Sequence, residues 1–251
     1  MTWRQAVPTA FTVGAMLAGF LSILTVVDSM HAPDPGHHYS RAALLIMMAI
    51  VLDGIDGKLA RCLKGSSEFG AELDTFVDLT AFGIAPAILA FAVTLQGEPI
   101  WRVALPSAMA LSGMVRLARF KVRDPLRGHG GYAGLPITIN AAWVALFVFI
   151  TLSPPKDPLS LSSGPVATVF LAGILILIVL QVTNFRYPKP TIKAKVLIPS
   201  LALVVALWLS WIFHRPLAAP IAVIMLVLGA GYVFFGPLLA RFMQARRELR
   251  K

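Results

Sequence analysis

The 251-residue chain is poor in charge. Charged residues make up 14% of it, the apolar and aromatic types 57%, and its mean hydropathy is +0.78. A water-soluble domain carries about 25% charged residues, so a soluble globular class is excluded. Intrinsic disorder, which requires low hydrophobicity and high net charge, is excluded by the same figures. There is one cysteine, Cys62, and therefore no intramolecular disulfide framework. The five histidines, His31, His37, His38, His129 and His214, show no metal-ligand spacing. Acids are scarce too, 12 against 22 basic residues, for a net charge of +10. The basic residues are scattered between apolar segments rather than gathered in one domain, which argues against nucleic acid as a partner.

What the chain does have is apolar runs. Eight of them, at 7–27, 42–61, 71–95, 101–120, 135–153, 165–183, 195–213 and 217–239, are separated by polar, Pro- or Gly-containing breaks. Each is near the ~20 residues needed to cross a bilayer core. A spanning backbone must satisfy its own hydrogen bonds, so these runs predict helices. The fold class expected is all-α, a polytopic membrane helix bundle of about eight transmembrane helices. The first run reads as a span rather than a cleaved leader, because no small-residue cleavage site follows it. With the N-terminus inside, 18 of the 22 basic residues fall on the inner side; only Arg41, Arg102, Lys156 and Arg215 fall outside. That asymmetry predicts an inner-membrane protein with both termini cytoplasmic.

Half of the scarce acids lie in one window: Asp53, Asp56, Glu68, Glu72, Asp74 and Asp78. A carboxylate inside a membrane span is costly and marks a functional site by default. Asp53 and Asp56 are three apart and Asp74 and Asp78 four apart, so each pair shares a helix face. Gly57, Ala60 and Arg61 continue the first face, and Gly70 begins the second. Residues 62–69 are enough for a tight turn, which makes the two helices antiparallel neighbours with their acidic faces opposed. Four converging carboxylates repel one another, and divalent cations relieve this without protonation. All-oxygen ligands select Mg²⁺, Mn²⁺ or Ca²⁺ over zinc. A pair of such ions is the usual arrangement for displacement at phosphorus. The small residues leave room for a bulky ligand, and Arg61 offers a fork of donors suited to phosphate.

The stretch Asp53-x2-Asp56-Gly57-x2-Ala60-Arg61-x8-Gly70-x3-Asp74-x3-Asp78 resembles the full signature of the CDP-alcohol phosphotransferase family, with every fixed position present. The resemblance implies a six-helix membrane core, here with two more helices, that is usually a homodimer. It implies a di-metal site near the cytoplasmic interface, at which CMP is displaced from a CDP-linked lipid by an alcohol. By that resemblance Asp53, Asp56, Asp74 and Asp78 are metal ligands, and Gly57, Ala60, Arg61 and Gly70 line the nucleotide-diphosphate pocket. The resemblance also makes Asp78 the expected general base. The segments 67–72, 82–86, 116–120, 134–136 and 187–188 resemble the phosphatidylserine synthase branch, which implies CDP-diacylglycerol and L-serine as substrates. That branch commonly has Asn where this chain has Thr9 and Lys121.

The resemblance covers most of residues 7–200 within a single catalytic domain, 1–251. The C-terminal helix and basic tail, 217–251, carry no recognised motif. Arg116 and Arg119, three apart at the inner end of the fourth span, can share a face and serve the serine carboxylate and the pyrophosphate. Lys121, Arg123 and Arg127 read as anchors or anionic-lipid contacts, and His129 lies in a glycine-rich loop that offers a mobile lid. Glycerol phosphate, inositol phosphate or choline are the alternative acceptors. A secondary transporter, the reading from another class, would call for internal repeats, and the acidic cluster has no echo in the second half.

Overall fold

The computed structural model describes residues 2–94, 99–122, 131–152, 160–188, 194–213 and 215–248. Eight helices carry the architecture: α1 (Trp3–Ser29), α2 (Pro35–Cys62), α3 (Glu68–Val93), α4 (Pro99–Val122), α5 (Ile137–Leu152), α6 (Gly164–Val182), α7 (Ala194–Phe213) and α8 (Arg215–Glu248). Each expected span falls on one of them. Four stretches, Trp3–Ser29, Glu68–Val93, Gly164–Val182 and Pro216–Phe242, are long and apolar enough to cross a membrane. The all-α expectation misses one small element, an antiparallel pair of β1 (Gly131–Ala133) and β2 (Arg186–Pro188). Three residues per strand bury too little to announce themselves in a hydrophobic pattern. The ladder forms because the ends of α5 and α6 bring the two segments alongside.

The centre is built from small side chains. Ala42, Ala43, Ala49, Ala81, Ala85 and Ala90 are all fully buried, and such residues let helix backbones approach closely, the main source of association in lipid. α1 and α2 lie against each other along much of their length. α1 meets α3 where a Cβ added to Gly19 would stand 2.6 Å from the Ala81 side chain. The outward faces are the reverse. Leu17, Phe20, Leu24 and Val27 on α1 and Val227, Leu228, Phe234 and Phe235 on α8 are exposed, as suits contact with hydrocarbon.

α3 is α-helical over Glu68–Asp78, widens to a π-helix over Leu79–Ile84, and returns to α over Ala85–Val93. Pro86 explains the widening, since it has no N–H and its ring crowds the carbonyl four residues back. The Ala85 N–H donates instead to the Thr80 carbonyl, five residues back. Single π-turns often mark functional positions, and this one begins directly after Asp78.

The turn from α2 to α3 is fixed from both sides. Lys64 takes a left-handed backbone (φ 50°) and the Gly65 N–H donates to the Ala60 carbonyl at 2.9 Å. Ser67 caps α3, its hydroxyl accepting from the Gly70 N–H at 3.0 Å. Pro8 in α1 cannot donate to the Arg4 carbonyl, and Gly65 seats against that same group. A Cβ on Gly65 would lie 2.0 Å from the Arg4 oxygen. Gly65→Ala therefore forces two backbones apart, at a cost of about 1–3 kcal/mol. Thermal unfolding of the purified protein in detergent is expected to show the loss, whereas Gly229→Ala, with nothing within 4 Å, is expected to unfold as the wild type does.

Candidate active site

The turn sets α2 and α3 antiparallel, and the acidic faces meet as the spacing required. One carboxylate oxygen each from Asp53, Asp56 and Asp74 lies within 4.8 Å of the others. Asp56 is 5% exposed. Thr12 and the Gly57 N–H lie close enough to act on it, although the Thr12 hydroxyl donates to the Pro8 carbonyl at 3.2 Å, and the Asp56 Oδ2 is buried with no partner among the described residues. Asp78 stands outside this group of three but close enough for its charge to act on Asp53. It feels the charges of Asp74 and Asp56 in turn, with the Arg116 guanidinium opposing them.

The fit to a hard divalent cation can be judged from this geometry. Metal–oxygen bonds of about 2.0–2.6 Å keep the oxygens around one ion within about 4–5 Å of each other, and these three carboxylate oxygens lie within 4.8 Å of one another. An orphaned, buried carboxylate oxygen costs several kcal/mol, and a cation removes that cost. Asp53, Asp56 and Asp74 therefore form a group that could hold a metal ion.

Beside the carboxylates opens a cleft of about 210 Å³. α2 contributes Asp56, Gly57, Ala60 and Arg61; α3 contributes Gly70, Ala71 and Asp74; the turn contributes Gly65, Ser66 and Ser67. All four residues expected to line a nucleotide-diphosphate pocket thus share one cleft with two of the aspartates. Arg61 lies along Gly57, whose added Cβ would stand 3.7 Å from its Nη1, and its charge acts on Asp56. Asp53, Asp78, Arg116 and Arg119 are not on the cleft lining.

The sequence reading passed over the fourth wall. Gln5, Pro8, Thr9 and Thr12 of α1 close the cleft. Thr9 stood out only as a departure from a branch pattern, and Thr12 only gains meaning from a tertiary contact. Their spacing from Pro8 and from Gln5 was the one available signal, since all lie on one helical face.

The basic residues fall into different roles. Arg116 is half-buried and acts on Asp78. Arg119 donates from Nη1 to the Val182 carbonyl at 3.0 Å and from Nη2 to the Asn184 side chain, so it caps the C-terminus of α6. Lys121 pairs with Glu72 and its charge reaches Asp74; it ties α4 to α3 and is more than an interfacial anchor. Arg123, Arg127 and His129 lie outside the described residues.

Comparison with known proteins gives the family. The family described as CDP-alcohol phosphatidyltransferase matches residues 5–235. A CDP-diacylglycerol–serine O-phosphatidyltransferase of Helicobacter pylori (strain ATCC 700392 / 26695) is 30% identical over 213 residues, covering 84% of this chain and 83% of the relative. The protein of the same name from Bacillus subtilis (strain 168) is 30% identical over 165 residues, 66% of this chain and 85% of the relative. One from Saccharomyces cerevisiae (strain ATCC 204508 / S288c) is 36% identical over 138 residues, 51% and 49% of the two chains. The matched span runs from α1 to α8 and contains the whole aspartate motif: the chain belongs to the CDP-alcohol phosphatidyltransferase family and is a membrane phosphatidyltransferase.

Proposed function

We propose that the protein condenses CDP-diacylglycerol with L-serine to give phosphatidylserine and CMP, using two divalent cations held by Asp53, Asp56, Asp74 and Asp78. The observation that carries the reading is the convergence of three of these carboxylates, two of them on the wall of a cleft lined by Gly57, Ala60, Arg61 and Gly70. Serine as the acceptor is supported by the activity for which the relatives are named. The pairing of the nearby cations supports it as well. With Lys121 paired with Glu72, the remaining cationic field suits one carboxylate better than a phosphorylated acceptor.

Bound cations would supply charge neutralisation of the pyrophosphate and of the departing CMP. The chain's own residues do the rest. Arg61 and the small residues Gly57, Ala60 and Gly70 seat the nucleotide diphosphate. Asp78 accepts the proton of the serine hydroxyl as its oxygen bonds to the phosphatidyl phosphorus. The bond from that phosphorus to the CMP oxygen breaks, and CMP leaves. Arg116, whose charge already acts on Asp78, orients the serine carboxylate, with Arg119 beside it. The distribution of basic residues supports a cytoplasmic active face, with both termini on that side of the cell membrane. The eight helices act as a single catalytic domain, six forming the core, and the protein works as a homodimer.

Two outcomes test the reading. Purified protein given CDP-diacylglycerol and Mg²⁺ or Mn²⁺ is expected to release CMP in proportion to added L-serine and not to glycerol phosphate, inositol phosphate or choline; release driven by one of those instead sinks the serine assignment. Asp78→Asn is expected to lower kcat by about 10²–10⁴-fold in the same assay, and near-normal turnover would remove Asp78 from the role of base.

A further inference from the structure

Behind the basic residues of α4 lies a polar cluster that the reaction does not use. Ser112 of α4, Asn140 of α5 and Gln181 of α6 are 6%, 1% and 1% exposed. The Ser112 hydroxyl lies 2.7 Å from Gln181 Oε1, and Asn140 Nδ2 donates to the same oxygen at 3.2 Å. Asn140 Oδ1 and Gln181 Nε2 find no partner among the described residues. An amide turned end for end keeps its shape. With both amides turned, Gln181 Nε2 would donate to Asn140 and to Ser112, whose own proton would go to the Met109 carbonyl 2.9 Å away. In either setting one donor and one acceptor stay unmatched.

Such a cluster is a poor way to stabilise a bundle. Each unmatched buried polar atom destabilises the fold, and apolar side chains of the same shape would avoid the cost. Its location suggests another use. Ser112, Arg116 and Arg119 sit at i, i+4 and i+7 on α4, one helical stripe. Gln181 directly precedes Val182, whose carbonyl holds Arg119, and Asn184 holds the other guanidinium nitrogen. The loop before α5 closes on the same turn, with Leu135 N–H donating to the Leu180 carbonyl at 3.0 Å. Gly134 (φ +78°) permits this, because a Cβ there would stand 2.5 Å from the Gln181 carbonyl.

We propose that Ser112, Asn140 and Gln181 form a buried clasp in which Gln181 is a positioning residue for Arg119, and so sets how well the acceptor binds. The clasp fixes the last turn of α6 against α4 and α5. That turn presents the carbonyl and amide oxygens that aim the guanidinium. Loosening it frees Arg119 without touching the carboxylates or the nucleotide cleft. The inference rests on the assignment of Arg119 to the acceptor side.

The test is steady-state CMP release by Gln181→Leu, Arg119→Ala and the double variant, with whichever acceptor drives the wild type. Gln181→Leu is expected to raise the acceptor KM about tenfold, with kcat and the CDP-diacylglycerol KM within about twofold. The double variant is expected to match Arg119→Ala alone, because Gln181 acts through that residue. If Gln181→Leu does not fold, Ser112→Ala carries the test, with an acceptor KM raised about two- to tenfold. An unchanged KM in the clasp variants, while Arg119→Ala raises it, overturns the clasp and leaves Arg119 on the acceptor side. Effects that multiply in the double variant, or a fall in kcat alone, overturn the clasp too. An unchanged KM in Arg119→Ala removes both assignments.

Discussion

The repulsion among carboxylates crowded between two membrane helices is the constraint from which the rest follows. Three of them share a space less than 5 Å across, with Asp78 close enough to add its charge. In a medium that screens poorly, like charges at this distance are sustained only by an opposing positive charge. The side-chain cations nearby are ranged around the group, Arg61 toward Asp56, Arg116 toward Asp78 and Lys121 toward Asp74. One oxygen of Asp56 is buried with no hydrogen-bond partner among the described residues. A fold that holds this arrangement together must spend stability elsewhere, and here the reserve is the close alanine packing of α1, α2 and α3 and the tightly fixed turn between the last two.

The π-segment after Asp78 belongs to the same economy of position. An extra residue in the turn rotates the remainder of α3 relative to its first half. Asp74 and Asp78 can thereby face α2 while Ala81 and Ala85 face the buried centre. Pro86 makes the rotation permanent, because a regular α-turn there would collide with its ring. The chemistry-bearing half and the packing half of one helix are thus set independently.

The aspartates, glycines and Arg61 were legible in the sequence because their geometry is local: each pair lies on one helix, and the turn between the helices is too short to separate them. The eight helices were legible for the same reason, as mainly apolar runs of about spanning length. What escaped is tertiary. Thr12 carries no sign of its place in the site until α1 is laid against α2 and sets it on the cleft beside Asp56. Gly65 looks like any turn glycine until Pro8 leaves the Arg4 carbonyl exposed to it. Arg119 and Lys121 sit side by side in a basic run, and only the partners they find, the end of α6 and Glu72, separate their roles. The short β-ladder and the clasp around Gln181 depend on segments about 40–70 residues apart, beyond the reach of periodicity.

Direct binding tests whether the carboxylate cluster is a cation site without reference to turnover. Mn²⁺ titrated into the purified protein in detergent, followed by electron paramagnetic resonance, is predicted to show saturable bound metal in the wild type. In the Asp56→Asn Asp74→Asn double variant that signal is predicted to be lost. Equal Mn²⁺ binding by wild type and a folded double variant would contradict the account.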